Sequence, residues 1–189
     1  DTLELPVDSL RKLGYNIQRM KVRSALLETT TEVEASEGIR ASLRLGDSAL
    51  IVGEVRSSEA KALYEAMRVG ALANLVAGTI HGASPYGVFD RVVNDLGVPV
   101  TSFKATDIVV VANPIRTPDG MHYKKRVTQL TEVRKHWTKD PEEEKGFVDL
   151  IKYNVEKDEL EHTEDLMNAD YEIIKAIPGS VKGWAVNWV

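Results

Sequence analysis

The pattern of apolar and polar residues between positions 47 and 84 predicts a strand, a helix and a second strand. Residues 49–52 are a short apolar run, which is typical of a strand buried on both faces. Ser57 or Ser58 can cap the helix that follows, in which apolar residues recur at helical spacing up to Gly70. Residues 74–80 form a second apolar run. A right-handed strand–helix–strand connection makes the two strands parallel, so the pattern predicts an α/β fold.

Two more helices are predicted, one on each side of this unit. Thr31 and Glu34 have the spacing of a capping box, so a helix starts at Thr31 and runs to about residue 45. Ser84 caps the other helix, which has a proline in its first position and ends at Gly97. The apolar residues between Ser84 and Gly97 recur at helical spacing, which indicates a core-facing helix rather than a cofactor-binding segment.

The pattern after position 100 predicts a hairpin and then a boundary. Residues 108–112 are a fully apolar strand, residues 118–120 read Pro-Asp-Gly as a turn, and residues 126–133 are a second extended stretch. The charged sequence DPEEEK at residues 140–145 is typical of a linker. We therefore expect a hairpin to follow the central α/β unit and a domain boundary to follow the hairpin.

Shorter patterns complete the chain. Residues 17–22 alternate apolar and polar side chains, which predicts a strand with one solvent-exposed face. Residues 147–153 predict a strand, residues 166–177 a helix, and the apolar tail at 184–189 is expected to pack back on the body. The domain prediction is a main domain at residues 1–139, a linker at 140–145 and a small α/β appendage at 146–189.

Side chains suited to chemistry follow both strands of the central unit. Glu54 comes directly after the first strand, and Thr79 and His81 come at the end of the second. The carboxyl ends of parallel strands meet at one edge of a sheet, where open α/β folds bind ligands. A carboxylate there can orient a water molecule for attack on a γ-phosphate, or hold Mg²⁺ through water. Taken singly, a strand-end glutamate is more often a solvated loop residue and a lone histidine is more often structural.

The two strand ends together resemble a known family. The sequence GEVRSSEA, followed by the histidine of TIHG 27 residues after Glu54, resembles the Walker B and histidine boxes of the traffic ATPases. These are the hexameric motors of type II secretion, type IV pili and the archaellum, and the resemblance is strongest to the archaeal members. Arg40 and Arg44 match the paired arginines ahead of Walker B, and the resemblance extends over about residues 1–137. Ser48 and Ser57 stand where the family often has carboxylates.

The resemblance implies a fold, cofactors and roles for particular residues. The fold would be the C-terminal half of a RecA-like P-loop NTPase core, followed by the β-hairpin and the appendage, and the cofactors would be ATP and Mg²⁺. Asp1 and Glu4 resemble the tail of the family's aspartate box and would lie near the metal and the attacking water, beside Glu54. The residues that would couple phosphate state to neighbouring subunits are Arg40, Arg44, Arg56, Thr79 and His81.

One motif of the family is absent from these 189 residues, because no GxxxxGK followed by Ser or Thr occurs in them. The chain also begins without methionine at Asp1, on what would be the second residue of the aspartate box. We therefore interpret it as a C-terminal fragment that is inactive alone. The whole protein would be a cytoplasmic homo-hexamer that reaches the membrane through a platform protein of a secretion or pilus machine, without inserting in the membrane itself.

Composition narrows the alternatives. The hydrophobic share of 43% is that of an ordinary globule, and no apolar run approaches the ~20 residues that span a bilayer. No cysteine is present, which excludes disulfides and thiolate zinc sites within the chain. The net charge of −5 disfavours a nucleic-acid partner and hence a RecA-like DNA or RNA motor. A non-catalytic interaction domain on a RecA-like scaffold remains the alternative to the ATPase fragment.

Overall fold

Two sheets, one parallel and one antiparallel, organise the described part of the chain. The computed structural model describes residues 5–21, 34–44, 48–69, 73–168 and 171–173. The chain divides into two units, the first formed by Asp1–Ile80 with Asn94–Val98 and the second by His81–Val93 with Pro99–Val189. The fold is mixed α/β and is consistent with the C-terminal part of a RecA-like ATPase domain, as the sequence predicted.

The first unit contains the predicted strand–helix–strand arrangement. Strands β1 and β2 are parallel, with Leu50 opposite Val76, and a helix, α3, connects them. This confirms the topology that the apolar pattern predicted. The described elements of the unit are α1 (Val7–Lys12), α2 (Ala35–Ser42), β1 (Ser48–Val52), α3 (Glu59–Val69) and β2 (Ala73–Gly78).

Close packing of α3 against the end of β2 fixes this arrangement. A Cβ atom added at Gly78 would lie 3.1 Å from Val55 and 3.3 Å from Leu63, so glycine lets the helix approach the strand. The other face of the sheet is different, because Ile51 and Leu75 are 50% and 54% exposed. The parallel pair is therefore half-buried on its helix side and presents exposed apolar side chains on the opposite side.

The second unit is built on a four-stranded antiparallel sheet in the order β3-β4-β5-β6. The predicted hairpin is present as β3 and β4, and its turn includes Gly120 with φ of +71°, a conformation that favours glycine. The strands are β3 (Ile108–Arg116), β4 (Tyr123–Val133), β5 (Phe147–Asn154) and β6 (Glu159–His162). The described helices are α4 (Pro85–Asp90), which continues as a π-helical turn over Arg91–Asp95, α5 (Val100–Phe103) and α6 (Glu164–Met167).

Aromatic residues form the core of the second unit. Phe89 packs edge-on against Phe103 and Trp137, with ring centroids 5.1 and 5.7 Å apart, and Trp137 is fully buried. The predicted cap of α4 is confirmed, since the Ser84 hydroxyl accepts a hydrogen bond from the Gly87 amide at 3.0 Å. These contacts pack α4 against α5 and against the loop that follows β4.

The stretch that the sequence suggested as a linker is a closed loop inside the second unit. Strand β4 pairs directly with β5 across it, with Val133 opposite Phe147. The Glu144 carboxylate accepts the amides of Thr138, Lys139 and Asp140 at 2.8, 2.6 and 3.0 Å. The two units of the structure therefore do not meet at the boundary predicted at residues 140–145. The Glu144 carboxylate in this stretch instead accepts hydrogen bonds from backbone amides of the same loop.

Some predicted elements are absent from the structure, or lie partly or wholly outside the described residues. Residues 17–21 are not in a strand, and the carbonyl of Ile17 instead accepts hydrogen bonds from the Arg11 guanidinium at 2.6 and 3.1 Å. The helix predicted from Thr31 is described only from Ala35, and Thr31 lies outside the described residues. The predicted tail at 184–189 also lies outside them. None of the helices in the described part of the chain has the length and apolarity that a bilayer span requires.

Candidate functional site

The loop over residues 53–58, which we call the GEVR loop, connects β1 to α3 and is tied to the end of β2. The Val55 amide donates to the carbonyl of Thr79 at 2.8 Å, and the Thr79 amide donates to the carbonyl of Val52 at 3.3 Å. The Thr79 hydroxyl donates to the carbonyl of Gly53. The predicted site residue Thr79 thus links the two strand ends, and the parallel pairing continues past the last residue of β1.

Glu54 and Arg56 are brought together by this loop. The Nε atom of Arg56 lies 3.2 Å from Oε2 of Glu54. The Glu54 side chain is 19% exposed and that of Arg56 is 52% exposed. An ion pair this accessible to solvent contributes little stability, and its contribution to the site is a positive charge beside the Glu54 carboxylate. The structure therefore presents one carboxylate, braced by a guanidinium, at the carboxyl end of β1.

The residue that closes the GEVR loop was missed as a site residue. Glu59 is only 8% exposed, and its Oε1 atom accepts the amides of Arg56 at 2.6 Å and Ser57 at 3.0 Å. Its Oε2 atom accepts the Ser57 hydroxyl at 2.5 Å. The sequence interpretation assigned the cap to a serine, whereas the glutamate accepts and the serine donates. The sequence signal was weak, because the capping-box pattern places the glutamate three residues after the serine, whereas Glu59 follows Ser57 by two.

Hydrogen bonding keeps the Glu59 carboxylate ionised in its buried position. Burial alone would raise the pKa of this group, but the Ser57 hydroxyl and the backbone amides of Arg56, Glu59 and Ser57 together lower it below its ordinary value. The loop is thus closed by a charged acceptor, which makes stronger hydrogen bonds than a neutral one.

The paired arginines predicted from the sequence do not share a helix. Arg40 lies on α2, where its guanidinium is 3.6 Å from the carboxylate of Glu65, and both side chains are 60% exposed. Arg44 is exposed and lies in the turn beyond Ser42, the last residue of α2. Helix α2 is therefore shorter than the helix predicted to run to about residue 45, and it ends between the two arginines.

Of the remaining predicted site residues, His81 lies in the other unit, and Asp1 and Glu4 lie outside the described residues. His81 is exposed and belongs to the second unit, so its predicted proximity to Glu54 stays a prediction. Asp1 and Glu4 lie outside the described residues. Within the described ranges, no group of three or more His, Asp or Glu side chains could hold a metal ion. One carboxylate, Glu54, still fits Mg²⁺, which in nucleotide sites is held by one or two carboxylates, waters and phosphates.

Comparison with known proteins gives the class to which this arrangement belongs. Residues 4–151 match the family model described as "Type II/IV secretion system protein". The match includes β1, the GEVR loop, α3, β2 and the hairpin. The chain belongs to the type II/IV secretion system protein family, as the resemblance of its motifs to the secretion ATPases predicted.

A curated relative comes from an archaeon. The chain is 29% identical over 131 residues to an uncharacterized protein of Methanocaldococcus jannaschii. The aligned region covers 69% of this chain and 46% of the relative. The chain therefore spans about half the length of the curated protein that it matches.

Proposed function

We propose that this chain is part of an ATPase that powers protein secretion or the assembly of a pilus or archaellum. One observation carries the proposal. In a chain of the type II/IV secretion family, Glu54 is held by Arg56 at the carboxyl end of a parallel strand. That is the position from which a carboxylate acts on a nucleotide in open α/β folds.

Glu54 would orient the water molecule that attacks the γ-phosphate. Its orientation follows from the GEVR loop, which Thr79 and Glu59 hold on two sides, and from the 3.2 Å contact with Arg56. When bound, Mg²⁺ and ATP supply the electrophilic phosphate and its charge compensation. Glu54 would contact Mg²⁺ through water, with Asp1 and Glu4 supporting the same site.

The arginines and the histidine would couple phosphate state to the neighbouring subunits of a hexamer. A guanidinium is always charged and presents forked donors that match phosphate oxygens. Arg40 and Arg44 are exposed, as such a role requires, and His81 is exposed as well. The whole protein would be a cytoplasmic hexamer of archaeal type that docks on a membrane platform protein.

The substitution Glu54→Gln in the intact protein tests the assignment. The amide keeps the shape but loses the charge that orients water, so we expect Mg-ATP binding to persist and kcat to fall about 100-fold. Glu37→Gln is the matched control, since Glu37 is an exposed carboxylate in the first turn of α2. Wild-type turnover in the Glu54 variant would refute the role of Glu54.

A second test uses the 189-residue chain alone. Triphosphate affinity in P-loop proteins comes largely from backbone amides at a helix N-terminus and one lysine of the GxxxxGK motif, which this sequence lacks. We expect calorimetric titration with Mg-ATP to show no binding in the micromolar range and no hydrolysis. A micromolar dissociation constant, about −8 kcal/mol, would mean that the chain holds a complete nucleotide site of its own.

The lack of the P-loop motif also supports a second candidate, a non-catalytic interaction domain on the same scaffold. The reading frame upstream of Asp1 distinguishes the two. A GxxxxGK motif there supports the ATPase, whereas an upstream sequence without it supports the interaction domain.

A further inference from the structure

We infer that Glu59 is a positioning residue for the GEVR loop, setting the orientation of Glu54 and Arg56 through the backbone it holds. This inference rests on the proposed function for its catalytic consequence. Its structural part, that one buried carboxylate fixes the loop, stands on the hydrogen bonds alone.

Three donors converge on the Glu59 carboxylate from the residues directly before it. Both backbone donors, the amides of Arg56 and Ser57, point at Oε1, and the Ser57 hydroxyl points at Oε2. Both amides belong to residues that precede α3, and hydrogen bonds to a charged acceptor are stronger than those to a neutral one. Glu59 therefore determines the path by which the chain leaves β1 and enters α3.

The Glu59 hydrogen bonds act on Arg56 through its own backbone. The Arg56 amide is bound to Glu59 at 2.6 Å, while the Arg56 guanidinium is 3.2 Å from Glu54. Arg56 is 52% exposed, and an exposed ion pair does little by itself to fix the position of a long side chain. Because Glu59 holds the backbone of Arg56, it sets the position from which the Arg56 side chain extends to Glu54.

The other side of the loop is held independently of Glu59. The Val55 amide is bound to the Thr79 carbonyl at 2.8 Å, and Val55 is 4% exposed. Loss of the Glu59 carboxylate should therefore loosen residues 56 and 57 while Val55 stays protected. This contrast separates a positioning role from a general contribution to folding.

Amide hydrogen exchange in the 189-residue chain, measured by NMR, tests the structural part. We expect Glu59→Ala to accelerate exchange at Arg56 and Ser57 about tenfold, because hydrogen bonds to a charged acceptor are lost, and to leave Val55 within about twofold. Glu59→Gln keeps an acceptor oxygen and should accelerate the two amides only about threefold. Equal acceleration at Val55, or unchanged exchange at Arg56 and Ser57, would overturn the inference.

If Glu59→Ala does not fold, the isosteric Glu59→Gln variant tests the inference through the exchange rates of the Arg56, Ser57 and Val55 amides. Glu37→Gln is again the control, since it removes an exposed first-turn carboxylate from α2 and should change none of them.

Kinetics in the intact protein test the catalytic part. We expect Glu59→Ala to lower kcat about tenfold and leave KM for Mg-ATP within about twofold, since Glu59 acts through Glu54 and Arg56 and not on the nucleotide. A wild-type kcat in a variant whose amides exchange faster would overturn the positioning role. Absence of hydrolysis in the wild-type intact protein would instead refute the proposed function, and the exchange result would stand.

Discussion

Two loops of this molecule are each closed by the carboxylate of one glutamate, but the groups that remain accessible in the two loops differ. In the GEVR loop Glu59 accepts the amides of Arg56 and Ser57, and the neighbouring Glu54 remains 19% exposed. In the loop over residues 138–146, which we call the acidic loop, Glu144 accepts three consecutive amides, beginning with that of Thr138. They differ in the strands that they join: the GEVR loop follows the parallel strand β1, whereas the acidic loop connects the antiparallel strands β4 and β5.

Packing separates the two loops further. A Cβ atom added at Gly53, in the GEVR loop, would lie 3.8 Å from Leu5, an ordinary contact. A Cβ atom added at Gly146, in the acidic loop, would lie 2.2 Å from the indole of Trp137, a distance that no packing tolerates. The acidic loop is therefore tightly packed at Gly146, whereas the GEVR loop has room for a methyl group at Gly53.

The largest expected effect is on stability. Gly146→Ala forces either Trp137 or the loop to move, and because Trp137 is fully buried against Phe89, we expect a loss of about 3 kcal/mol in the free energy of unfolding. Gly53→Ala should change it by less than about 1 kcal/mol. Urea unfolding of both variants measures the difference. Equal losses would contradict the contrast drawn between the two loops.

The next effect depends on pH. Backbone amides from Lys139, Asp140 and Thr138 lower the pKa of Glu144 from its ordinary value of 4.5 to about 2. Because the folded pKa lies below the unfolded one, the stabilisation is fully present above about pH 4.5 and is lost as the pH falls towards 2. Glu144→Gln should therefore melt below wild type at pH 7, and the gap should narrow on acidification.

Glu143→Gln is the matched control for that experiment, since Glu143 is an exposed carboxylate in the same loop. Thermal unfolding between pH 7 and pH 2 should give the same curve for this variant as for wild type. A gap between Glu144→Gln and wild type that stays constant over this range would mean that charge does not close the acidic loop.

The smallest expected effect on stability is at His81. Its side chain is exposed, so His81→Ala should shift the melting temperature by no more than about 2 °C. In the intact protein it should lower oligomer-dependent turnover, because the residue would act between subunits. A large fall in the melting temperature would instead mean that His81 has a structural role, as Glu144 has, and would contradict a role in turnover.

The sequence predicted those features that local pattern determines. The apolar runs around α3 gave two parallel strands, and Ser84 with the following proline gave the start of α4, because each depends on a few neighbouring residues. Glu54 and Arg56 were predicted as site residues because the GEVR motif is contiguous, and the structure places their side chains 3.2 Å apart. Whether β4 would pair with β5 across DPEEEK depends on contacts between distant residues, which charge composition does not reveal.

Other features required knowledge of which atoms become buried. The sequence places Glu59 two residues after Ser57, but only the structure shows that Glu59 is 8% exposed and accepts hydrogen bonds from three donors of the preceding residues. The alternation at residues 17–22 was too short to distinguish a strand from a coil whose Ile17 carbonyl is held by Arg11. Similarly, the capping box at Thr31 predicts where a helix starts but not where it ends, and α2 ends at Ser42, before Arg44.

The two sheets differ in how much chain must be ordered before they can form. In the antiparallel sheet Arg116 pairs with Tyr123 across a short turn, whereas in the parallel sheet Leu50 pairs with Val76 only after a whole helix has been placed between them. The entropic cost of closing a loop grows with its length, and topologies with more distant contacts fold more slowly. We therefore expect the β3–β4 hairpin to be protected early in refolding, and the Glu54 end of β1 to acquire its neighbours last.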